Sequence, residues 1–365
     1  MRIGILGTRG VPNYYGGFEQ FAAFLSKYLV QNDHEVWVYN SSLHPYQEKS
    51  WEGVHIIHCN DLEDKLGTAG QFFYDLNCIL DSRKRNFDIL LQLGYTSSSI
   101  WGRLLPSKAV VVTNMDGLEW KRSKFSSIVQ KFLHYAESLA VKRSDFLVSD
   151  SIGIQNYIKE KYNKTSEYIA YGADLFTNPN FNLVNEYNIV QFSYSLLIAR
   201  LEPENNIEVI LDGYCLSDSK EPFLVVGKIE NQFAQYLIDK YKDVPTIRFL
   251  GGIYNIEILN NLRHFCKMYF HGHSVGGTNP SLLEAMASSA LIVAHKNIFN
   301  QAILENEALY FESIEDIASL LKTVLSDEKR QLMIRNNFEK IECHFSWKKI
   351  VSSYENLFIQ LVSKK

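Results

Sequence analysis

Two glycine-bearing loops carry the residues best suited to chemistry. The first, Gly7-Thr8-Arg9-Gly10-Val11-Pro12, follows the aliphatic run Arg2–Leu6. It continues through Asn13-Tyr14-Tyr15-Gly16-Gly17-Phe18-Glu19 into an amphipathic stretch. Adjacent glycines let backbone N–H groups approach a ligand where a Cβ would clash. At a helix start, those donors and the helix dipole suit a phosphate. Arg9, Tyr15, Gly16 and Gly17 are therefore candidates for a phosphate or acceptor loop, although the same residues also fit a tight turn with no ligand. The spacing matches neither G-x-G-x-x-G nor a P-loop.

The second loop runs from Phe270 through His271-Gly272-His273-Ser274-Val275-Gly276-Gly277-Thr278-Asn279-Pro280 into Ser281-Leu282-Leu283-Glu284-Ala285-Met286-Ala287. Thr278 or Asn279 can cap the helix, and Pro280 suits its first position. The free amides of Gly276, Gly277, Thr278 and Asn279 make a second anion cradle. Glu284 lies one turn inside the helix, where a carboxylate can accept hydrogen bonds from ribose hydroxyls; a plain surface charge is the alternative. His271 and His273 lack a carboxylate at a helpful spacing, so no metal site is expected.

These loops need elements to position them. Strand-like runs occur at Arg2–Leu6, Glu35–Tyr39, Val54–His58, Asp88–Leu93, Ala109–Thr113 and Phe146–Val148, separated by enough chain for crossover helices. Such alternation predicts a mostly parallel sheet covered on both faces. Residues 175–188, rich in Asn, read as a linker. A second series follows at Tyr194–Ala199, Phe223–Val226, Thr246–Leu250, Met268–His271 and Leu291–Ala294. A helical pattern over Trp347–Val362 ends the chain. The expected architecture is α/β with two Rossmann-like domains facing a central cleft. Their bounds are 1–174 and 189–345, and residues 346–365 form a helix returning toward the first domain. In such folds, ligands sit outside the carboxyl ends of the strands. Asp116 and Asp150 follow strands in this way; a turn former and a helix cap are their respective alternatives.

Composition narrows the class. The chain has 365 residues, 46% hydrophobic and 21% charged, with a net charge of −4, which excludes a global basic field for nucleic acid. The longest apolar runs fall short of a membrane span. Five dispersed cysteines without a CxxC pair fit a reduced cytoplasmic protein. Aromatic residues reach 13%, with 21 Tyr and 22 Phe.

The motifs, in their order, resemble the GT-B glycosyltransferases of glycosyltransferase family 4. The nearest branch is that of the bacterial rhamnosyltransferases of surface-polysaccharide (capsule and cell-envelope) biosynthesis. Gly7–Pro12 with Tyr15–Glu19 resembles that branch's N-terminal signature, and His34-Glu35-Val36 its second-strand motif. Asn114–Arg122 (NMDGLEWKR) resembles its DGLEW segment, and Ile169–Asp174 its I-x-N-G-V-D element. Arg200–Asn205 is similar to R-L-x-x-E-K, and Ser281–Ala287 to the second half of E-x7-E.

The resemblance implies that Arg200 binds the donor diphosphate, Glu284 the ribose hydroxyls, and Gly16 and Gly17 the leaving diphosphate and acceptor. It also places Tyr171 beside the cleft as a substrate contact. Two departures matter. The family lysine falls on Asn205, and the first glutamate of E-x7-E falls on Gly276. Lys228, after Phe223–Val226, is a candidate replacement cation or simply a solvated lysine.

The implied reaction is retaining transfer of a hexosyl group. The donor expected is a nucleotide-sugar, foremost dTDP-L-rhamnose, and the acceptor a lipid-linked polyprenyl diphosphate saccharide. No Asp-x-Asp occurs in the chain, so a metal-independent route is expected, with no cofactor. Asp116, and after it Asp150, are candidates to orient the acceptor hydroxyl. Alternatives are a UDP-hexose transferase, a GT-B epimerase and a non-catalytic sugar-nucleotide-binding partner.

Between Lys121 and Arg143 there are six Lys/Arg and one acid, Glu137. Phe125, Ile128, Val129, Phe132, Leu133 and Ala136 share a helical stripe. This pattern fits a cytoplasmic protein peripheral on an anionic inner membrane face, or a core-facing helix with a solvated basic side.

Overall fold

The computed structural model describes residues 1–121, 125–275 and 277–364. The chain divides into two compact units. The first holds Met1–Lys121, Phe125–Tyr171 and the described residues from Trp347, and the second holds Gly172–Ser346.

In the first unit, the strands are β1 (Arg2–Leu6), β2 (Glu35–Ser41), β3 (Ser50–Trp51), β4 (Val54–Cys59), β5 (Ile89–Leu93), β6 (Val110–Asn114), β7 (Phe146–Ser149) and β8 (Glu167–Tyr168). Their order is β3-β4-β2-β1-β5-β6-β7-β8, parallel except for the β3–β4 hairpin. The central strands read as unbroken apolar runs because helices cover both faces. Every residue of β5 and β6 is buried, and the one polar side chain inside β5, Gln92, donates to Thr113 Oγ1 at 3.1 Å. Strand order reverses between β1 and β5, so the loops after them open at a switch point.

The second unit adds β9 (Ser195–Ile198), β10 (Phe223–Val226), β11 (Ile247–Gly251), β12 (Met268–His271), β13 (Ile292–His295) and β14 (Leu309–Phe311). They form an all-parallel sheet in the order β11-β10-β9-β12-β13-β14. The reversal here lies between β9 and β12. Residues 175–188, expected as a linker, belong to this unit and contain the 3-10 turn Phe181–Tyr187.

The closing helix Trp347–Ser363 packs within the first unit. Trp347 stacks on Phe24 with centroids 4.4 Å apart, and Tyr354 meets Phe21 edge-on at 5.3 Å. The Tyr354 hydroxyl accepts from Asn114 Nδ2 at 2.9 Å, and Glu355 accepts from Asn32 and contacts His34, both at 2.8 Å.

One expected stripe is corrected. Within the helix Ser127–Arg143 the buried face is Leu133, Ala136, Glu137, Ala140 and Val141. Ile128 is 79% exposed and Val129 38%. The core face lies farther along the helix because a buried acid, Glu137, belongs to it. Its carboxylate accepts from Trp120 Nε1 at 3.1 Å, from Tyr157 and Tyr162 hydroxyls at 2.8 and 2.6 Å, and from Lys161 at 2.9 Å.

Candidate active-site residues

In the first unit, the candidate residues lie at the ends of β1, β6 and β7. After β1 the chain turns at Gly7 (φ +92°), where a Cβ would sit 2.3 Å from the Leu93 carbonyl oxygen. Only glycine fits this approach to the end of β5. The loop is then fixed by Asn40, which accepts from Val11 N at 3.0 Å and donates to Val11 O at 2.8 Å.

Arg9 does not present a free cation. Its guanidinium is bidentate on Glu63 at 3.0 and 2.6 Å, and its amide donates to Glu19 Oε1 at 2.9 Å. Arg9 and Glu63 hold each other charged, raising the Arg9 pKa and lowering that of Glu63. Its charge is thus answered inside the unit by Glu63.

Gly16 caps the helix Gly17–Gln31 in extended backbone, without a side-chain cap. The first intrahelical bond is Gln20 N to Gly16 O, 3.0 Å. The first-turn amides of Gly17 and Phe18 precede that bond, but buried Glu19 places an internal carboxylate in the same turn. The loop therefore suits hydroxyl and amide partners better than a dianion. Tyr15, half-exposed, and Tyr14 flank His44 at centroid distances of 5.8 and 5.4 Å. They present aromatic faces of the kind on which sugars rest.

Asp116 follows β6 in the left-handed region (φ +49°), and its amide donates to Asn114 Oδ1 at 3.0 Å. Short polar residues such as Asp adopt this conformation in turns, so the turn-former alternative for Asp116 stays open. Asp150 follows β7 and is not the helix cap. That role falls to Ser151, whose hydroxyl accepts from Ile154 N at 3.2 Å at the start of Ile152–Tyr162. Tyr171 is buried: its ring packs on Trp347 at 4.9 Å, and its hydroxyl donates to Gly17 O at 3.3 Å. It braces the glycine loop through that bond.

In the second unit, the candidate residues lie at the β9/β12 switch point. Arg200 follows β9 and is exposed. Its guanidinium has no hydrogen-bond or ion-pair partner among the described residues, while its carbonyl accepts from Asn205 Nδ2 at 2.7 Å. Asn205 is buried. Where the resemblance puts a lysine, this chain therefore has a side chain that braces the arginine turn. Gly272 allows the β12 loop to lie against this turn: a Cβ there would sit 2.0 Å from Asn205 O. Asn206 Nδ2 donates to Gly272 O at 2.7 Å, and Ser274 N to Glu204 O at 3.2 Å.

Asn279 caps the helix Pro280–Ala287, its side chain accepting from Ser281 N at 2.9 Å, with Pro280 in the first turn. Gly277 is partly exposed and Thr278 buried; Gly276 lies outside the described residues. Lys228 follows β10 and is exposed, its ammonium 5.7 Å from the Tyr254 ring centroid.

Glu284 has a partner that the sequence did not signal. Arg263 Nη2 donates to Glu284 Oε2 at 2.5 Å, with side-chain exposures of 1% and 17%. Arg263 also donates to Asn260 Oδ1 at 2.9 Å and to Ser281 Oγ at 3.4 Å. An arginine in the helix Ile256–His264 reads as a surface residue; only the fold shows that it lies behind Glu284. His271 is buried with neither ring nitrogen bonded, stacked on His273 at 4.4 Å. Burial pushes its pKa well below the ordinary value, so it is neutral. Among the described residues no group of three or more His, Cys, Asp or Glu is placed to hold a metal.

Comparison with known proteins follows this division. Residues 1–174 match a domain of unknown function (DUF1972). Residues 185–341 match the family described as glycosyl transferases group 1. This chain carries a glycosyltransferase domain. No curated protein matches it.

Among solved structures, it resembles sucrose-phosphate synthase (tll1590) from Thermosynechococcus elongatus. Identity is 14%, all of both chains is covered and the TM-score is 0.82. It also resembles Anabaena Alr3699/HepE in complex with UDP and glucose, at 14% identity, 98% and 99% coverage and TM-score 0.76. A third is a glycosyltransferase from Rickettsia africae ESF-5, at 15% identity, 100% and 99% coverage and TM-score 0.74. The fold is α/β of the GT-B type.

Proposed function

We propose that this glycosyltransferase transfers a hexosyl group from a nucleoside-diphosphate sugar with retention and without a metal. The carrying observation is the β9/β12 switch point. There Arg200, the capped helix Pro280–Ala287 and the Arg263-held Glu284 come from adjacent strands and the helix behind them. In the proposed reaction, the C1–O bond to the diphosphate breaks as the acceptor oxygen bonds to C1 on the same face. The acceptor proton passes to the departing phosphate. Charge on that phosphate is met by Arg200, by Lys228 and by the amides of Gly277–Asn279 at the helix start. Glu284 accepts from the ribose hydroxyls, and Asp116, with Asp150 beside it, orients the acceptor hydroxyl.

The motif resemblance supports family 4, dTDP-L-rhamnose as donor and a polyprenyl-diphosphate saccharide of cell-surface polysaccharide as acceptor. The fold neighbour solved with UDP and glucose supports a second reading, a UDP-hexose donor. Each labelled donor, incubated with the lipid-linked acceptor, decides between them. Product from dTDP-L-rhamnose alone supports the first reading, and product from UDP-glucose the second. Binding without turnover by either would leave only a sugar-nucleotide-binding partner.

The first unit also favours an anionic membrane surface on the cytoplasmic side. Ile128, Lys131, Tyr135 and Lys142 are all exposed at helical spacing on Ser127–Arg143, with exposed Lys121 preceding it. Arg122 and Lys124 lie outside the described residues. Among the described residues no helix is long and apolar enough to cross a membrane. Loss of phosphatidylglycerol-vesicle binding in Ile128→Ser/Lys131→Ser is expected; unchanged binding refutes this placement.

A further inference from the structure

At the carboxyl end of the first sheet, the segment between β1 and the helix Gly17–Gln31 carries two neighbouring aromatic side chains in the open. Tyr14 is 58% exposed and Tyr15 47%. Both rings meet His44, of the turn after β2, at centroid distances of 5.4 and 5.8 Å and interplanar angles of 78° and 52°. His44 is buried and locked to backbone: its Nδ1 accepts from Tyr46 N at 3.1 Å, and its Nε2 donates to Pro12 O at 3.1 Å. That pattern puts the imidazole proton on Nε2, and burial lowers the His44 pKa, so the ring is neutral. The segment in front of it is pinned as well. Gly10 N donates to Thr8 Oγ1 at 2.9 Å, Ser41 N to Arg9 O at 2.9 Å, and Tyr15 N to Asn13 Oδ1 at 3.0 Å.

A single exposed apolar side chain needs no explanation, whereas a rigid pair of rings on a buried support marks a contact surface. Charge narrows what it meets. Glu63, Glu19 and Asp61 act electrostatically on Tyr15 against one cation, Arg9, which lies 5.6 Å from the Tyr15 ring centroid and is already bonded to Glu63. This excess of acids repels an anion from the tyrosine faces. An acyl chain would bury those carboxylates without partners. A neutral ring with polarised C–H bonds on one face and hydroxyls at its rim fits both conditions. The negative faces of the tyrosines attract the C–H hydrogens, and the polar groups beside them take the hydroxyls. Tyrosine has few rotamers to lose on contact, and a pinned segment costs little to order. In this sheet β1 and β6 are two strands apart, roughly 10 Å, so a saccharide resting on the tyrosines extends toward Asp116 at the end of β6.

We propose that Tyr14 and Tyr15, backed by His44, form a subsite for a neutral pyranose ring of the acceptor, with the C–H face of that ring lying on the tyrosines. The subsite rests on the reading of Asp116 as the residue that orients the acceptor hydroxyl, but binding to it needs neither donor nor turnover.

The test is saturation-transfer NMR on the full chain without donor. Aromatic protons are irradiated, and the probes are the methyl glycosides of glucose, galactose, N-acetylglucosamine and L-rhamnose. At least one glycoside should receive transfer, strongest on the C–H protons of one ring face. Tyr14→Ala/Tyr15→Ala should weaken its binding about tenfold. Tyr14→Phe/Tyr15→Phe, which keeps both ring faces, should stay near the wild type. Both positions are exposed, so the urea midpoint of either variant should not move. Arg200→Ala should bind the glycoside as the wild type does. The proposal is overturned if no glycoside receives transfer, if the alanine pair binds like the wild type, if the phenylalanine pair loses as much as the alanine pair, or if Arg200→Ala abolishes the binding. A chain that binds a glycoside through these tyrosines yet transfers from no nucleotide-sugar would overturn the proposed activity and support the subsite.

Discussion

Glu284 and Arg263 show how much a single buried partner decides. Nearly unexposed, Arg263 has its charge answered by Glu284, with further bonds to Asn260 and Ser281. Removing one member of such a pair leaves an uncompensated charge and costs on the order of 3–5 kcal/mol. Arg263→Ala should therefore lower the urea midpoint strongly. Arg263→Lys, which keeps the charge but loses the fork, should fold and raise the donor KM more than it lowers kcat. An unchanged donor KM in a folded Arg263→Lys would separate Glu284's orientation from donor binding.

Asp75 offers a second residue-scale test. Burial pushes its pKa up to about 6, against a partly offsetting bond from the Ser97 hydroxyl. Between the ordinary carboxylate value and about 6 the folded chain binds more protons than the unfolded one, so this group's contribution falls as pH rises through that window. Asp75→Asn keeps the acceptor for Ser97 and removes the ionisation. It should match the wild type in stability near pH 4 and exceed it at pH 8, by roughly 2–3 kcal/mol. Denaturant melts at the two pH values check this; equal differences at both would refute it.

At the scale of elements, the helix Pro280–Ala287 depends on its cap. It has only eight residues, too few to be stable from propensity alone. Asn279→Ala should cost about 1 kcal/mol and loosen the first-turn amides, weakening nucleoside diphosphate binding measured by calorimetry. Cap, proline and glycines were legible in the sequence because they act locally. So were the inner strands, whose apolar runs reflect burial on both faces. The two-residue strands Ser50–Trp51 and Glu167–Tyr168 and the short edge strand Leu309–Phe311 were not, because so few residues set no period.

The helix Ser127–Arg143 misled for another reason. Glu137 reads as a solvated charge until Trp120, Tyr157, Lys161 and Tyr162 are brought around it from other segments. Arg9 reads as a free cation until Glu63, far along the chain, closes on it. Satisfaction of a charge is a tertiary fact, and spacing does not carry it. Glu137→Ala would leave those donors without their acceptor. A loss of several kcal/mol, with loosened Trp120 fluorescence, is the expected result.

At the scale of the whole molecule, part of the aromatic excess fills the interior. Tyr74, Tyr194 and Tyr214 fill core positions and donate their hydroxyls to backbone carbonyls at 2.8–2.9, 2.6 and 2.7 Å. A phenol fills apolar volume while answering a buried carbonyl. In the closing helix a phenol is buried too, but there the Tyr354 hydroxyl accepts from Asn114 Nδ2. Trp347, Ile350, Val351, Tyr354, Leu357 and Phe358 are buried within the first unit, so that unit is completed only when the end of the chain returns. Deleting residues 347–365 removes the stacking on Phe24, uncovers Phe21 and leaves Asn114, beside Asp116, without the Tyr354 hydroxyl. The large apolar area exposed should unfold the first unit at a markedly lower temperature while the second, which lacks none of its own strands, melts as before. Tyr354→Phe keeps the ring and deletes one bond, so it should cost about 1 kcal/mol and lower kcat through Asn114 and Asp116 with little change in donor KM. Calorimetric scans of the two variants distinguish the cases: one lowered transition for the truncation, a small shift for the point change. A truncated chain that melts like the full one would show that the first unit does not need its last helix.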